Sequence, residues 1–229
     1  MVTAAVTPHY RRERLVHMLA ARWLIPLGGL LVLIGYFGPW VDHRVAGLVI
    51  LGLDLGEYVK FLTPIRSGQI YVWRAGFYLP LTTASLAFSL VAFRRTLRYG
   101  WPLRLFLLAA AVVAALNMLP PAWTPSRLLT AEFRLQTMAI VICLAAAAFS
   151  PFLALLPVWI GALVVTALAV PALVFPVTDF LRVLPTISEL YNRPLQPGWG
   201  PYVMGIGLVL LVIGVLGDWA LAWRTPATA

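Results

Sequence analysis

Residues able to do chemistry are sparse in this chain, and their spacing limits what they could do. Asp42, His43 and Arg44 stand in a row directly after Gly38-Pro39-Trp40. Three ionisable groups at the end of an apolar run could contact a substrate or partner, or could serve as the charged flank that ends the run. Asp54 and Glu57 follow at capping-box spacing, where an acid can accept the unpaired N–H groups of a helix start. Thr82, Ser85 and Ser89 recur at i, i+3 and i+7, which places three hydroxyls on one helical face. Asn117 lies near the end of the next apolar run. Asp218 is the one acid inside a long apolar stretch.

Each of these groups has a chemical reading and a structural one. A hydroxyl becomes a nucleophile only beside a base. His43 is the one histidine on the side of Thr82 and Ser85, so a Ser85–His43 pair is the enzyme reading. A stripe of small polar residues also lets two helices approach closely, and that explains the spacing more simply. An aspartate at mid-bilayer costs roughly 2.5–3.5 kcal/mol, but Asp218 sits beside Trp219, near a boundary where the cost fades. The expectation there is an interfacial acid paired with an arginine such as Arg98 or Arg104. The single cysteine, Cys143, lies in an apolar run and reads as a small packing residue. His9, His17 and His43 have no metal-ligand spacing, and no phosphate-cradling or dinucleotide motif occurs. No catalytic, cofactor or metal site is expected, nor binding of nucleotide or nucleic acid.

The elements that carry these residues follow from composition. The 229 residues are 62% hydrophobic and 11% charged, with mean hydropathy +0.90; soluble domains carry about 25% charged residues. All nine tryptophans fall at or just beyond the end of an apolar run. An indole is apolar with one N–H donor and prefers the lipid headgroup boundary. Six membrane spans are predicted: Trp23–Val41, Gly76–Phe93, Trp101–Leu119, a helix from Thr124-Pro125 through to Phe149, Pro157–Pro176 and Pro201–Trp223. Residues 1–22 form a basic N-terminal segment in which His9–Arg22 could make a short surface helix, and 224–229 a short tail. The fold class is therefore all-α, a polytopic six-span bundle with short amphipathic interfacial helices in the outer loops.

One such helix is expected around Asp54 and Glu57, with Leu55, Tyr58, Val59 and Leu62 on its apolar face and Pro64 ending it. Another is expected around Thr186 and Glu189, after Pro185. Net charge is +9, and sixteen of the 17 basic residues are arginine. They lie in short connections, as anchors for anionic lipid rather than a nucleic-acid surface. Arginine is densest over residues 94–104, which places that connection and both termini in the cytoplasm of a cell (inner) membrane. Gly28 and Gly35 on the first span, and Gly207 and Gly214 on the sixth, are each a heptad apart, a spacing that clears a groove for a neighbouring helix.

These readings lead to a non-enzymatic integral membrane protein, a subunit or accessory component of a larger transport or envelope complex. Two alternatives differ in class. A self-sufficient transporter or channel would line a water path with Thr82, Ser85, Ser89, Asn117 and Asp218. An intramembrane enzyme acting on lipid or peptide would use His43 with Asp42 or Ser85. The candidate outer-face cluster is Asp42, His43, Arg44, Asp54 and Glu57.

Overall fold

The computed structural model describes residues 8–42, 49–121 and 123–223, the first fourteen of them as backbone alone. His43 and Arg44 of the predicted cluster, and the C-terminal tail, lie outside the described residues. Among the described residues the chain is all-α apart from one short strand pair. Its helices are α1 (Pro8–Tyr36), α2 (Gly52–Tyr58), α3 (Thr63–Arg66), α4 (Leu79–Val91), α5 (Trp101–Leu116), α6 (Pro125–Leu128), α7 (Arg134–Ala148), α8 (Ser150–Leu153), α9 (Val158–Leu190) and α10 (Gly200–Trp223). Single 3₁₀ turns at Val59–Phe61 and Arg74–Tyr78 extend α2 and lead into α4.

Six long segments run back and forth between two ends. The Trp40 end holds the exit of α1, the entries of α4, α7 and α10, and α2. The Arg94 end holds the exits of α4, α7 and α10 and the entries of α5 and α9. The closest pair is α1 against α10. A methyl placed on Gly28 would lie 2.6 Å from the Leu211 nitrogen, and one on Gly207 would lie 2.5 Å from the Val32 nitrogen. Gly35 abuts Gly200 and Met204, and Gly214 abuts Ile25. As α1 ascends from 28 to 35 its partner descends from 207 to 200, so the two helices are antiparallel. The heptad glycines thus meet each other within one chain, and Gly200 extends the α10 series by one more heptad.

Several boundaries depart from the sequence expectation. The first helix is continuous from Pro8, with no separate surface helix over His9–Arg22, because that stretch contains no glycine or proline to stop propagation. It ends at Tyr36 rather than Val41. Gly38-Pro39 break it, and Val41–Asp42 (β1) pair antiparallel with Gln196–Pro197 (β2). The expected helix from Thr124 to Phe149 is two. Thr124 does cap, its hydroxyl accepting the Arg127 N–H at 3.3 Å. The short helix then closes, as Thr130 and Thr137 hydroxyls take the carbonyls of Arg127 and Leu128.

The fifth segment does not stop at Pro176. α9 continues for 33 residues with Pro171, Pro176 and Pro185 inside it. Its buried positions, among them Val165, Ala169, Ala172, Phe180, Val183 and Ile187, keep the helical period, and packing outweighs the lost N–H donors. Thr186 and Glu189 therefore belong to the last turns of α9 and form no separate cap helix. In α2 the capping acid is displaced: Asp54 lies in the first turn and accepts the Leu51 N–H at 3.0 Å. Pro64 opens α3 instead of ending α2.

Two helices, α9 and α10, are long and apolar enough to cross a membrane. α4, α5 and α7 have 13, 16 and 15 residues, fewer than the roughly 20 a span requires, so six full-length spans are not what the helix lengths give.

Tryptophan placement also divides. Trp23, Trp101, Trp123, Trp159, Trp199, Trp219 and Trp223 are exposed, and Trp73 is half-buried edge-on to Phe175. Trp40 stands at an end of the bundle but faces inward, unlike the exposed indoles. It is fully buried, edge-on to Tyr36, Phe77 and Phe180, with ring centroids 5.4–6.5 Å away. The reason is local: Gly35, Gly52 and Gly200 crowd against it with no side chains of their own. Its indole N–H donates to the Gly35 carbonyl at 3.2 Å.

Candidate functional site

The polar side chains of the interior gather in three places. At the Trp40 end, Glu57 is a hub. Lys60 pairs with it from the next turn, the Tyr78 hydroxyl donates to it at 3.2 Å, and Arg74 approaches at 3.4 Å. The Arg74 fork also donates to the Gly56 carbonyl at 3.0 Å and to Glu132 at 2.9 Å. One guanidinium therefore joins α2, the 3₁₀ turn before α4, and the connection before α7. The preceding residue repeats the device, since the Trp73 N–H donates to Asp179 at 3.0 Å and Arg182 donates to the same carboxylate at 3.2 Å. Asp179 is buried, and its two oxygens are divided between backbone and guanidinium. Acids and bases here match one another nearly one for one.

Midway along α4, the predicted hydroxyl stripe is buried and each of its members donates to an acceptor. Thr82 donates to the Tyr78 carbonyl at 3.0 Å and Ser89 to the Ser85 carbonyl at 2.8 Å. Ser85 donates to the Ala111 carbonyl on α5 at 2.9 Å. Ser150 reaches from α8 to the Ser89 carbonyl, and Cys143 contributes a long contact from α7 to the Thr82 carbonyl. The stripe ties α4 to α5, α7 and α8, and no base stands beside any of its hydroxyls among the described residues. Asn117 bonds locally, to the Val113 carbonyl at 2.8 Å. Gln136 on α7 reaches the Met118 carbonyl.

At the Arg94 end the arrangement differs. Arg94 is buried and donates to the Leu156 carbonyl at 2.7 Å and the Pro157 carbonyl at 3.5 Å. It passes over Gly161, where a methyl would lie 2.7 Å from its Nη2. Asp218, also buried, is hydrogen-bonded by Thr96 and feels the charge of Arg94. Of the arginines at this end, the one whose charge Asp218 feels is Arg94, and not the two offered as examples, Arg98 and Arg104. Those two arginines are turned outward or stacked, whereas Arg94 is carried inward at the end of α4. A cavity of about 10 Å³, the size of one water, is lined by both Arg94 and Asp218. Burial pulls the Arg94 guanidinium down from its ordinary value and the Asp218 charge opposes that. Burial also pushes the Tyr99 phenol up, with Asp218 adding and Arg22 opposing. The Tyr99 hydroxyl donates to the Arg22 carbonyl at 2.9 Å, tying the α4–α5 turn to α1.

The predicted residues are thus dispersed. Asp54 and Glu57 share α2, but Asp42 is exposed in the strand pair. Asp218 lies at the opposite end from Asn117, and the three hydroxyls lie between them. Arg74, Tyr78, Arg94, Glu132, Gln136 and Asp179 were not singled out from sequence. Most of their partners lie 17 to 106 residues away, beyond any spacing rule. Only the Asp179–Arg182 pair, at i,i+3, was visible as a pattern. On the outside, α9 and α10 leave an apolar groove of about 490 Å³ lined by Leu173, Val177, Leu181, Tyr202, Gly205 and Ile206 among others. No protein-family model matches the chain, and no curated protein or solved structure matches it either.

Proposed function

We propose that this chain is a polytopic membrane protein of six crossings, with both termini in the cytoplasm of the cell membrane, acting as a non-enzymatic component of a larger membrane complex. The observation that carries the reading is the radial distribution of side chains. Large apolar residues point outward from every peripheral helix: Phe106 and Val113 on α5, Val141 and Ile142 on α7, Leu163 and Val170 on α9, Ile206 and Val209 on α10. Buried ionisable groups are confined to the two ends. Soluble monomers rarely expose contiguous apolar surface of this extent, and a bilayer is the solvent that rewards it. The short helices fit because each is extended by turns, α4 by the 3₁₀ turn before it and α7 by α8 after it, and each passes from one polar end to the other.

The non-enzymatic part rests on how the polar groups are used. Glu57, Arg74, Asp179, Arg94 and the α4 hydroxyls bond to other parts of the same chain, joining helices to one another. That is a scaffold's use of polarity. The test is native mass spectrometry after mild detergent extraction from the source membrane. The expected result is a stoichiometric assembly well above the 25.2 kDa of one chain; a lone chain at that mass would overturn the assembly role.

A further inference from the structure

Arginines at the Arg94 end outnumber the acids there, and their surroundings are specific. Asp218 is the only acid at this end whose side chain is described, and it is engaged by Thr96 and Arg94. Arg22, Arg95, Arg98 and Arg104 form no ion pair among the described residues, and the bond from the Tyr99 hydroxyl to the Arg22 carbonyl sets the connection that carries Arg95 and Arg98 against α1 at Arg22. Arg22 and Arg104 each keep a buried Nε–H without an acceptor. Both guanidinium groups are held over aromatic rings: Arg22 is 5.8 Å from the Trp23 centroid, and Arg104 is 5.1 Å from Phe93 and 5.7 Å from Trp101. Trp23 and Trp101 are themselves exposed. Arg98 stands between them in sequence at φ +48°, a left-handed backbone that a branched-chain-free glycine adopts freely and an arginine does not. Tyr99, the next residue, fixes this turn to the Arg22 carbonyl.

We propose that Arg22, Arg98 and Arg104 at the α4–α5 turn form a binding site for the phosphate of an anionic phospholipid headgroup. Guanidinium forks match phosphate oxygens in geometry and charge. Stacking on the rings orders the side chains before the ligand arrives, which lowers the entropy of capture. Exposed indoles on either side place the site at headgroup depth, which selects a lipid over a soluble anion. This inference rests on the membrane reading above.

The test uses the purified full chain in non-ionic detergent, titrated with short-chain phosphatidylglycerol, phosphatidylcholine or inorganic phosphate, with thermal stability and bound-lipid mass as readouts. Phosphatidylglycerol is expected to bind and stabilise; the other two are not. Arg22→Gln and Arg104→Gln should each weaken phosphatidylglycerol by about tenfold, the loss of one charge-assisted hydrogen bond. Arg98→Gly guards against simple misfolding. It should raise the melting temperature by about 2 °C, since glycine relieves the left-handed backbone, while still weakening the lipid. Arg182→Gln at the other end should leave lipid binding unchanged. Equal response to phosphatidylcholine, equal response to inorganic phosphate, or full binding by the three variants would each overturn the proposal. Failure of the underlying reading is separate and visible first: the chain would then remain dispersed without detergent.

Discussion

The two ends of the molecule solve the same problem differently. Each must hold several helices in register where the apolar packing gives out, and each uses an arginine to do it, half-buried Arg74 at one end and buried Arg94 at the other. At the Trp40 end, Arg74 meets two carboxylates, and Asp179 meets an N–H and a second arginine. At the Arg94 end, Arg94 spends its donors on backbone carbonyls of the α8–α9 turn. Charge is therefore balanced locally at the first end and left in excess at the second. A carbonyl acceptor satisfies a guanidinium's hydrogen bonds without neutralising it, so the surplus persists as a positive face.

This contrast can be broken or sharpened by substitution. The largest effect is expected from Arg94→Met, which removes the tie to α9 and strands the buried Asp218. Losing charge-assisted hydrogen bonds such as those to the Leu156 and Pro157 carbonyls costs about 1.5–3 kcal/mol each, read as a fall in thermal midpoint in detergent. The double variant Arg94→Met/Asp218→Leu should recover a large part of that; no recovery would mean that the carbonyl bonds, and not the charge, dominate. Glu57→Gln at the opposite end should cost about 1.5–3 kcal/mol by weakening three charge-assisted contacts at once. If it cost as much as Arg94→Met, the two ends would not differ in the way described. The smallest effect is expected from Arg182→Gln. Its guanidinium side chain is 61% exposed, and such pairs contribute about 0–1 kcal/mol, while the Trp73 N–H still holds Asp179. A loss near that of Glu57→Gln would show that Asp179 depends on the cation.

How much of this was legible beforehand varies by residue. The Thr124 cap was readable because a cap hydroxyl and the N–H that donates to it lie within three residues. The apolar face of α2 and the 3₁₀ turn that extends it, with Leu55, Val59 and Leu62 buried, was readable because helical period is a local property. The α9 prolines misled for the same reason in reverse: locally a proline ends a helix, and only the packing of Ala172, Phe180 and Val183 against neighbours keeps this one intact. The inward turn of Trp40 was not readable because its position at the end of a run resembles that of the exposed indoles. The glycines that make room for it come from residues 35, 52 and 200. Which arginine faces Asp218 was not readable, because Arg94, Arg98 and Arg104 are equivalent on a sequence line.

Helical class, the heptad glycines, the apolar surplus and the cluster of arginines at 94–104 follow from residue identity and near spacing. Those are properties that backbone periodicity and transfer energies act on directly. Which carboxylate meets which cation, which indole turns inward, and which arginines are left facing outward depend on contacts across as many as a hundred residues. Only the closed packing of α1 against α10, and of α4 among α5, α7 and α9, selects among those pairings, because burial makes one partner reachable and removes the rest.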